Sequence, residues 1–183
     1  MSNTTTATRT YAIDPAHSSA HFSVRHLMIS KVRGAFKTIS GTIELPESSP
    51  IPTAVNVVID AASIDTGEAQ RDGHLKSADF FEVEKFPQLS FTSTSISKVD
   101  DETFDATGDL EIHGVKQPVT VKVTIEGQGK DPWGNDRIAY AAAFKISRKD
   151  YGLVWNQALE AGGVAVGDHV DIALDVESVP KPA

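Results

Sequence analysis

Long stretches of this chain alternate strictly between apolar and polar residues, and this period of two limits the folds that the chain can adopt. In 119–126, valine or isoleucine occupies every odd position, and threonine, lysine or glutamate every even one. The same period runs through 103–112, 138–146 and 169–177. Successive side chains of a strand point to opposite faces, so the pattern predicts antiparallel strands with one face in the core and the other in water. Weaker forms of the pattern cover 10–13, 21–28, 32–45, 53–60 and 88–98.

Residues that favour turns separate these segments, at 46–52, 100–101, 113–114 and 131–136. The result is about eight or nine strands, several of them ten residues or longer, arranged as sequential hairpins. Closure into an up-and-down barrel removes the unpaired edges that such strands would otherwise expose. The pattern therefore favours an all-β antiparallel barrel.

Two stretches depart from the alternation and hold the predicted helical structure. Residues 67–86 carry most of it, and 148–167 combines a turn, one short helix and the pair Gly162-Gly163. Neither an internal repeat nor a linker divides the 183 residues, so we predict one domain over 9–178. The ends, 1–8 and 179–183, are predicted to be flexible tails.

Composition excludes several classes of function. The chain has no cysteine, which removes disulfides, thiolate metal sites and cysteine nucleophiles. Its net charge is −8, from 25 acidic and 17 basic residues with no Lys/Arg block, which argues against nucleic acid and against an anionic lipid surface as partners. The longest apolar run, Ile138–Phe144, is far too short to cross a bilayer. The first ten residues are polar and give no sign of a signal peptide, so we expect a cytoplasmic protein, with a chain that has lost its leader as the alternative.

A barrel of about eight strands holds either packed side chains or one small ligand. The inward positions include the small residues Ala106, Gly108 and Ala142, which leave volume between larger apolar side chains. Alternation by itself does not decide between a dry, filled core and an apolar channel. If there is a channel, strand parity predicts that its lining is Phe22, Val24, Phe36, Val57, Leu89, Phe91, Phe104, Leu110, Val121, Val123, Tyr140 and Phe144.

Catalytic and metal-binding signatures are weak. No motif of a hydrolase, a kinase or a nucleotide-binding protein occurs. His17 and His21 have the spacing of helical metal ligands, but the alternation from His21 onward predicts a strand. We therefore predict no metal, no cofactor and no catalytic residue.

The densest charged group is Arg71-Asp72-Gly73-His74-Leu75. Arg71 and His74 would share one face of a helical turn. With Asp14 or Asp72 they could act in catalysis, hold the headgroup of a ligand, or pin a helical cover over the barrel end. We favour the last role, in which Arg71, Asp72 and His74 form one hydrogen-bonded cluster with Phe80, Phe81 and Phe86 packed beneath it.

From Tyr11 to about Val176 the chain resembles the YceI-like family, described as polyisoprenoid-binding or lipid-binding proteins of lipocalin-like fold. The resemblance is carried by Tyr11-x-Ile-Asp14-x-x-His17-Ser18, Phe22-x-Val24-x-His26, Val32-x-Gly34-x-Phe36, Ile64-Asp-Thr66, Arg71-Asp-x-His74-Leu75-x-Ser77-x-Asp79-Phe80-Phe81, Phe86-Pro87-x-Leu89-x-Phe91, Gly108-x-Leu110-x-Ile112-His113-Gly114-Val115, Pro118-Val119, Arg148-x-Asp150-Tyr151-Gly152 and Gly162-Gly163.

The resemblance implies an extended eight-stranded antiparallel lipocalin-like barrel with one or two short helices, enclosing a long apolar channel for an isoprenoid or a similar amphiphile. The family motif segments carry over to Asp14, His17, Ser18, Arg71, Asp72, His74 and Leu75, where their role looks more structural than chemical.

The function that follows is non-enzymatic binding of a long-chain apolar or amphiphilic lipid, of the polyisoprenoid or isoprenoid-quinone type, as a carrier or reservoir. An uncharged or weakly polar headgroup is expected, because the basic residues are scattered and no phosphate loop accompanies them. Two alternatives remain open: an enzyme acting on such a lipid with His74 or His17 as the acid–base group, and a filled barrel that works as an interaction protein. A homodimer is left open, and no transmembrane segment is expected.

Overall fold

The computed structural model describes residues 6–182 of the chain. In this part the structure has eleven strands, one α-helix and two 3-10 turns, at Ala61–Ser63 and Arg148–Tyr151. The strands are β1 (Thr8–Ile13), β2 (Ser19–His26), β3 (Ser30–Phe36), β4 (Ile39–Pro46), β5 (Ala54–Asp60), β6 (Ile64–Asp65), β7 (Gln88–Lys98), β8 (Thr103–Ile112), β9 (Val115–Lys130), β10 (Asp136–Ser147) and β11 (Val166–Pro180), and the helix is α1 (Ala69–Lys76).

The sheet closes on itself and confirms the predicted eight-stranded antiparallel barrel. Going around the barrel, the strands follow the order β1-β4-β5-β7-β8-β9-β10-β11, and β11 pairs with β1 again through Tyr11 and Pro180. The strands β2, β3 and β6 extend this sheet at one end, with β2 paired to the N-terminal half of β11. From β7 onward each strand pairs with the next one in the chain, as predicted for sequential hairpins.

Alternation produces strands here because it places every second side chain in the barrel. In β8, which has the predicted bounds 103–112, Phe104, Ala106, Leu110 and Ile112 are buried. Gly108 continues the same face where β7 comes too close for a side chain, since a Cβ there would overlap the carbonyl oxygen of Thr92.

The inward-facing set of residues changes between odd and even positions at two places, and only one of them lies inside a predicted strand segment. Segment 32–45 is divided between β3 and β4, and Phe36 and Ile39 are both buried although one position is even and the other odd. A similar break divides β1 from β2, where Ile13 and Ala20 both face inward. Because a strand has a period of two, only a break in the strand can shift the inward set from even to odd positions.

The ends of the predicted strands and domain also need correction. Leu27 and Met28, which close the predicted segment 21–28, lie in a turn with positive φ. Thr8 pairs with Pro46 and Val179 pairs with Ala12, so these two residues belong to the sheet and not to flexible tails. Residues 1–5 and 183 of the predicted tails lie outside the described residues.

The segment 67–86 covers one side of the barrel end. It contains α1, whose first turn is capped by the Glu68 carboxylate, and continues as turns. Phe81 packs edge-to-face on Phe36 of β3, with ring centroids 5.7 Å apart, and Phe86 packs on His113 in the same way. Within 6–182, no helix has the length and apolar character needed to cross a membrane.

Candidate functional site: an apolar cavity inside the barrel

The barrel encloses a cavity of about 690 Å³. This volume falls within the roughly 300–1,000 Å³ range of small-molecule binding sites. Its wall consists mainly of apolar side chains on the inward faces of the strands; β11 alone contributes Val170, Ile172, Leu174 and Val176. The interior is therefore not filled by its own side chains.

Every residue of the predicted lining except Leu89 borders the cavity. Those that do are Phe22, Val24, Phe36, Val57, Phe91, Phe104, Leu110, Val121, Val123, Tyr140 and Phe144. Leu89 is buried in a core cluster with Ala61 and Ile64, which do not border the cavity either. Parity correctly gives the face of Leu89, but it carries no information on how far along the barrel the open volume extends.

Several wall residues were missed. The row on β11 was visible in the alternation of 169–177 and could have been included. Leu153 and Trp155 come from the loop after Tyr151, and Leu75 comes from α1. A sequence pattern cannot place such loop and helix residues, because their position depends on how the cover folds onto the barrel.

One end of the cavity is closed. Tyr140, 5% exposed, packs edge-to-face against Phe104, and its hydroxyl donates a hydrogen bond of 2.9 Å to the carbonyl oxygen of Pro50. Burial raises the pKa of Tyr140 well above its ordinary value, so the hydroxyl stays a neutral donor. Pro52, which is buried, adds to this wall from the loop between β4 and β5. The lining here is almost wholly apolar.

The other end is open and more polar. The exposed residues Glu68, Gln70 and Gln157 border the cavity there, together with Leu27 at the tip of the β2–β3 hairpin. We call this end the mouth. A ligand with an apolar tail and a polar end would fit with its tail toward Tyr140 and its polar end at the mouth.

Arg71 and Asp72 both bind Thr66 at the mouth. Arg71 donates from Nε to Thr66 Oγ1 (2.7 Å) and from Nη2 to the Thr66 carbonyl oxygen (2.9 Å). Asp72 Oδ1 accepts from the Thr66 amide (2.9 Å) and from its hydroxyl. These bonds hold the start of α1 against the end of β6.

His74 is not part of this group, which corrects the prediction of one cluster. Its Nε2 lies 2.9 Å from Asp79 Oδ2, and its ring packs edge-to-face on Trp155 and Phe80 at centroid distances of 4.7 and 5.1 Å. On the helix its side chain reaches the loop beyond Tyr151, whereas Arg71 and Asp72 reach back to Thr66. His74 therefore joins α1 to the loop that carries Trp155.

The other family-motif residues, Asp14, His17 and Ser18, lie far from α1. Asp14 Oδ2 accepts from Arg137 Nη1 (2.6 Å) and lies 2.9 Å from His17 Nδ1, while Ser18 Oγ accepts from the Glu177 amide (3.0 Å). Along β11, eleven residues separate Val166 at the mouth from Glu177, about 36 Å at 3.3 Å per residue. The seven predicted motif residues thus lie at two different places on the barrel, and those on α1 contact different partners.

Arg137 is shared by three carboxylates in the group around Asp14. Arg137 Nη1 also donates to Glu177 Oε1 (2.9 Å), and its Nε donates to Asp131 Oδ2 (3.1 Å). The hydrogen bond from Arg137, followed by that from His17, lowers the pKa of Asp14 to about 2. Ligand atoms of Asp14, His17 and Glu177 lie within 4.8 Å of one another, as a metal would require, but the guanidinium already supplies the positive charge there.

A buried arginine supports the loop at the mouth. Arg148 is 3% exposed and donates hydrogen bonds to the carbonyl oxygens of Leu153, Trp155, Val166 and Gly167, at 2.6 to 3.2 Å. Burial lowers the pKa of Arg148. Its guanidinium ties the loop after Tyr151 to the start of β11 and so shapes one wall of the cavity.

A closed antiparallel barrel of eight strands around one apolar cavity, open at one end, defines the protein as a lipocalin-like barrel. Residues 11–178 match the family model of the YceI-like domain, which spans nearly the whole chain. The chain belongs to the YceI-like family, and the predicted resemblance is confirmed.

Relatives and solved structures agree with this assignment. Over 173 residues the chain is 42% identical to Protein YceI of Escherichia coli, covering 93% of this chain and 87% of the relative. The YceI protein of Campylobacter jejuni is 31% identical with a TM-score of 0.73, over 86% of this chain and 90% of that one. A polyisoprenoid binding domain from Saccharophagus degradans, implicated in plant cell wall breakdown, has the same fold at 18% identity and a TM-score of 0.73, over 93% and 98% of the two chains.

Proposed function

We propose that this protein binds one long-chain apolar or amphiphilic lipid, of the polyisoprenoid or isoprenoid-quinone type, inside the barrel and serves as its carrier or reservoir. The observation that carries the proposal is the apolar cavity of about 690 Å³, closed at Tyr140 and open at the mouth. The Saccharophagus degradans domain of the same fold is described as polyisoprenoid binding, which supports the same class of ligand here.

The tail of the ligand would supply most of the affinity. About ten buried methylene equivalents contribute roughly 8 kcal/mol before ordering costs, which suffices for retention without specific polar contacts. Strand-borne valine, isoleucine, leucine and phenylalanine side chains can accommodate such a tail along the barrel axis.

We further propose an uncharged or weakly polar headgroup. A pyrophosphate needs several clustered cationic donors, because its oxygens are strong acceptors. Three arginines border the cavity, and two of them are engaged in the fold: Arg71 binds Thr66, and Arg148 binds four carbonyl oxygens. The third, Arg25, is exposed on the β2–β3 hairpin. Arg25 alone is not the cluster of cationic donors that a pyrophosphate needs, which favours a polyprenol or quinone over a polyprenyl pyrophosphate.

A binding role is favoured over catalysis. His17, one of the two histidines considered for acid–base chemistry, lies in the Asp14 group away from the mouth. His74 borders the cavity, but its Nε2 pairs with Asp79 and its ring packs on Trp155. We expect that neither wild type nor His74→Ala converts an added polyprenol into a product. Turnover by wild type that is lost in His74→Ala would instead favour an enzyme.

A titration with delipidated protein tests the proposal. Wild type should bind a polyprenol, and Ala142→Trp, which places an indole in the cavity, should bind it at least tenfold more weakly. Ala143→Trp on the same strand is the matched control, because Ala143 is exposed on the outer face and does not border this cavity. Equal binding by both variants would reject the cavity as the site, and tenfold tighter, salt-dependent binding of the pyrophosphate would reject the neutral headgroup.

A further inference from the structure

Three consecutive apolar side chains stand exposed at the tip of the β2–β3 hairpin. Leu27, Met28 and Ile29 are 39%, 56% and 81% exposed. Single apolar residues are common on protein surfaces, but a run of three at a turn is not, because turns are normally polar. The fold leaves this small apolar surface uncovered.

The turn itself does not require these residues. Leu27 and Met28 have φ values of 52° and 63°, and the Ile29 amide donates to the carbonyl oxygen of His26 (3.2 Å). Positions of positive φ in a tight hairpin favour Asn, Asp or Gly. Leucine and methionine are therefore present here against the local preference, which indicates that the apolar surface has a role of its own.

The tip stands at the mouth of the cavity. Leu27 borders the cavity, and its amide donates to the carbonyl oxygen of Ala165 (2.9 Å). Met28 lies against Gly163, where a Cβ would come within 3.0 Å of Met28 Cγ. Val154, 62% exposed, sits between the cavity residues Leu153 and Trp155. We call Leu27, Met28, Ile29 and Val154 the apolar rim.

The charge around the tip is opposite to that of the whole chain. None of the 25 acidic residues lies within 15–43, although the net charge is −8. The same stretch contains Arg25, Lys31 and Arg33, which are exposed on the hairpin. Of the nearby acidic residues on β11, Asp171 lies 4.0 Å from Lys31 and 3.7 Å from Lys145, and so is shared between two cations.

Acidic residues on the facing side of the mouth are largely engaged. The Glu68 carboxylate caps α1 by accepting from the amides of Gln70 and Arg71, and Asp79 pairs with His74. Glu160 remains exposed in the turn that precedes Gly162. The hairpin side of the mouth is thus apolar at its tip and basic behind it.

We propose that the apolar rim inserts into the interface of a bilayer that contains anionic lipids, with Arg25, Lys31 and Arg33 at the headgroups. Apolar side chains buried by 5–10 Å together with adjacent basic residues are what interfacial binding requires. A hairpin tip can reach about 5–10 Å into an interface. Its surface area is far smaller than the roughly 800 Å² per partner that a stable protein interface buries. The purpose of the contact rests on the proposed function: the mouth would face the membrane, and a lipid would pass between bilayer and cavity without crossing water.

Sedimentation with phosphatidylcholine vesicles tests this surface. Wild type should bind vesicles that contain about one-third phosphatidylglycerol, and the bound fraction should fall at least fivefold when salt is raised from about 0.05 to 0.5 M, because salt screens exposed charges. Ile29→Asp should lower partitioning at least tenfold, and the milder Ile29→Ser should lie between Ile29→Asp and wild type. Val99→Asp and Trp133→Ser, at exposed apolar residues of other hairpin turns, should bind within twofold of wild type.

The same samples separate this surface from the cavity. Ile29→Asp should keep wild-type polyprenol binding in solution, and Ala142→Trp should lose it while still binding vesicles. Vesicle binding without any polyprenol binding would uphold the rim and reject the proposed function. Absence of vesicle binding by wild type, or an equal loss of vesicle binding in Ile29→Asp and Trp133→Ser, would contradict the proposal that the apolar rim inserts into the bilayer.

Discussion

Arg137 Nη1 lies 2.6 Å from Asp14 Oδ2, joining residues 123 positions apart. Asp14 follows the last residue of β1, at the break that shifts the inward set from odd to even positions. Arg137 is on β10 and also binds Glu177 of β11. The ion pair therefore fixes the break against two neighbouring strands.

Replacing Asp14 by Asn should destabilise the protein by on the order of 1–2 kcal/mol, because the pKa of about 2 reflects a carboxylate that its partners stabilise. Urea unfolding near pH 7 measures this change. Asp101→Asn is the control, since Asp101 is paired with Lys98 but its side chain is 95% exposed, and a change within about 0.5 kcal/mol is expected. Equal effects of the two substitutions would contradict the role given to Asp14.

The same ion pair predicts a loss of stability in acid. The folded pKa of Asp14, about 2, is below its ordinary 3.8, so its contribution is fully present above about pH 4 and is lost as the pH falls toward 2. Burial would raise the pKa of Asp131, but donors from Asn135 and Arg137 outweigh it and bring that pKa also to about 2. The difference in unfolding free energy between wild type and Asp14→Asn should therefore shrink between pH 5 and pH 2.5. A difference that stays constant over this range would contradict the assignment.

Arg148→Met should destabilise the fold by about 3 kcal/mol, because it leaves carbonyl oxygens of the loop at the mouth without their donors. Lys149→Met is the matched control: Lys149 is half exposed and pairs only with Asp168 at 3.3 Å. Thermal unfolding should show a clearly lower melting temperature for Arg148→Met and almost no change for Lys149→Met. Similar melting temperatures for the two variants would show that the carbonyl contacts contribute little.

Two glycine-to-alanine substitutions on neighbouring strands should have different effects on the melting temperature. Gly108→Ala forces a Cβ onto the carbonyl oxygen of Thr92, so it should lower the melting temperature by several degrees. Gly127→Ala on β9 meets nothing within 4 Å and should be neutral or slightly stabilising, because alanine restricts the unfolded chain. A neutral Gly108→Ala would mean that β7 and β8 can separate without cost.

Alternation in the sequence was sufficient for the barrel and for the inward face of the strand residues that it named as cavity wall. Phe104, Leu110 and Phe144 border the cavity because parity decides which face of a strand is inward. The pattern ended the first strand at residue 13, but it could not show that Asp14 pairs with Arg137, a residue far along the chain. It also could not tell that Leu27 and Met28 end in a turn, because apolar residues continue a strand pattern whether or not the chain reverses there.

The helical cover was the least predictable part of the site. Arg71 and His74 have the spacing of one helical face, yet the structure directs them to Thr66 and Trp155. Spacing within a helix says which side chains are neighbours on that helix; it does not say which other element each of them meets.

The most direct test of lipid binding is mass spectrometry of the organic extract from protein purified without detergent, compared with the extract of Ala142→Trp. We expect one long-chain, uncharged or weakly polar lipid at close to one molecule per chain in wild type and in Ala143→Trp, and at least tenfold less of it in Ala142→Trp. A wild-type extract with no long-chain lipid, or equal amounts of lipid in wild type and Ala142→Trp, would contradict it.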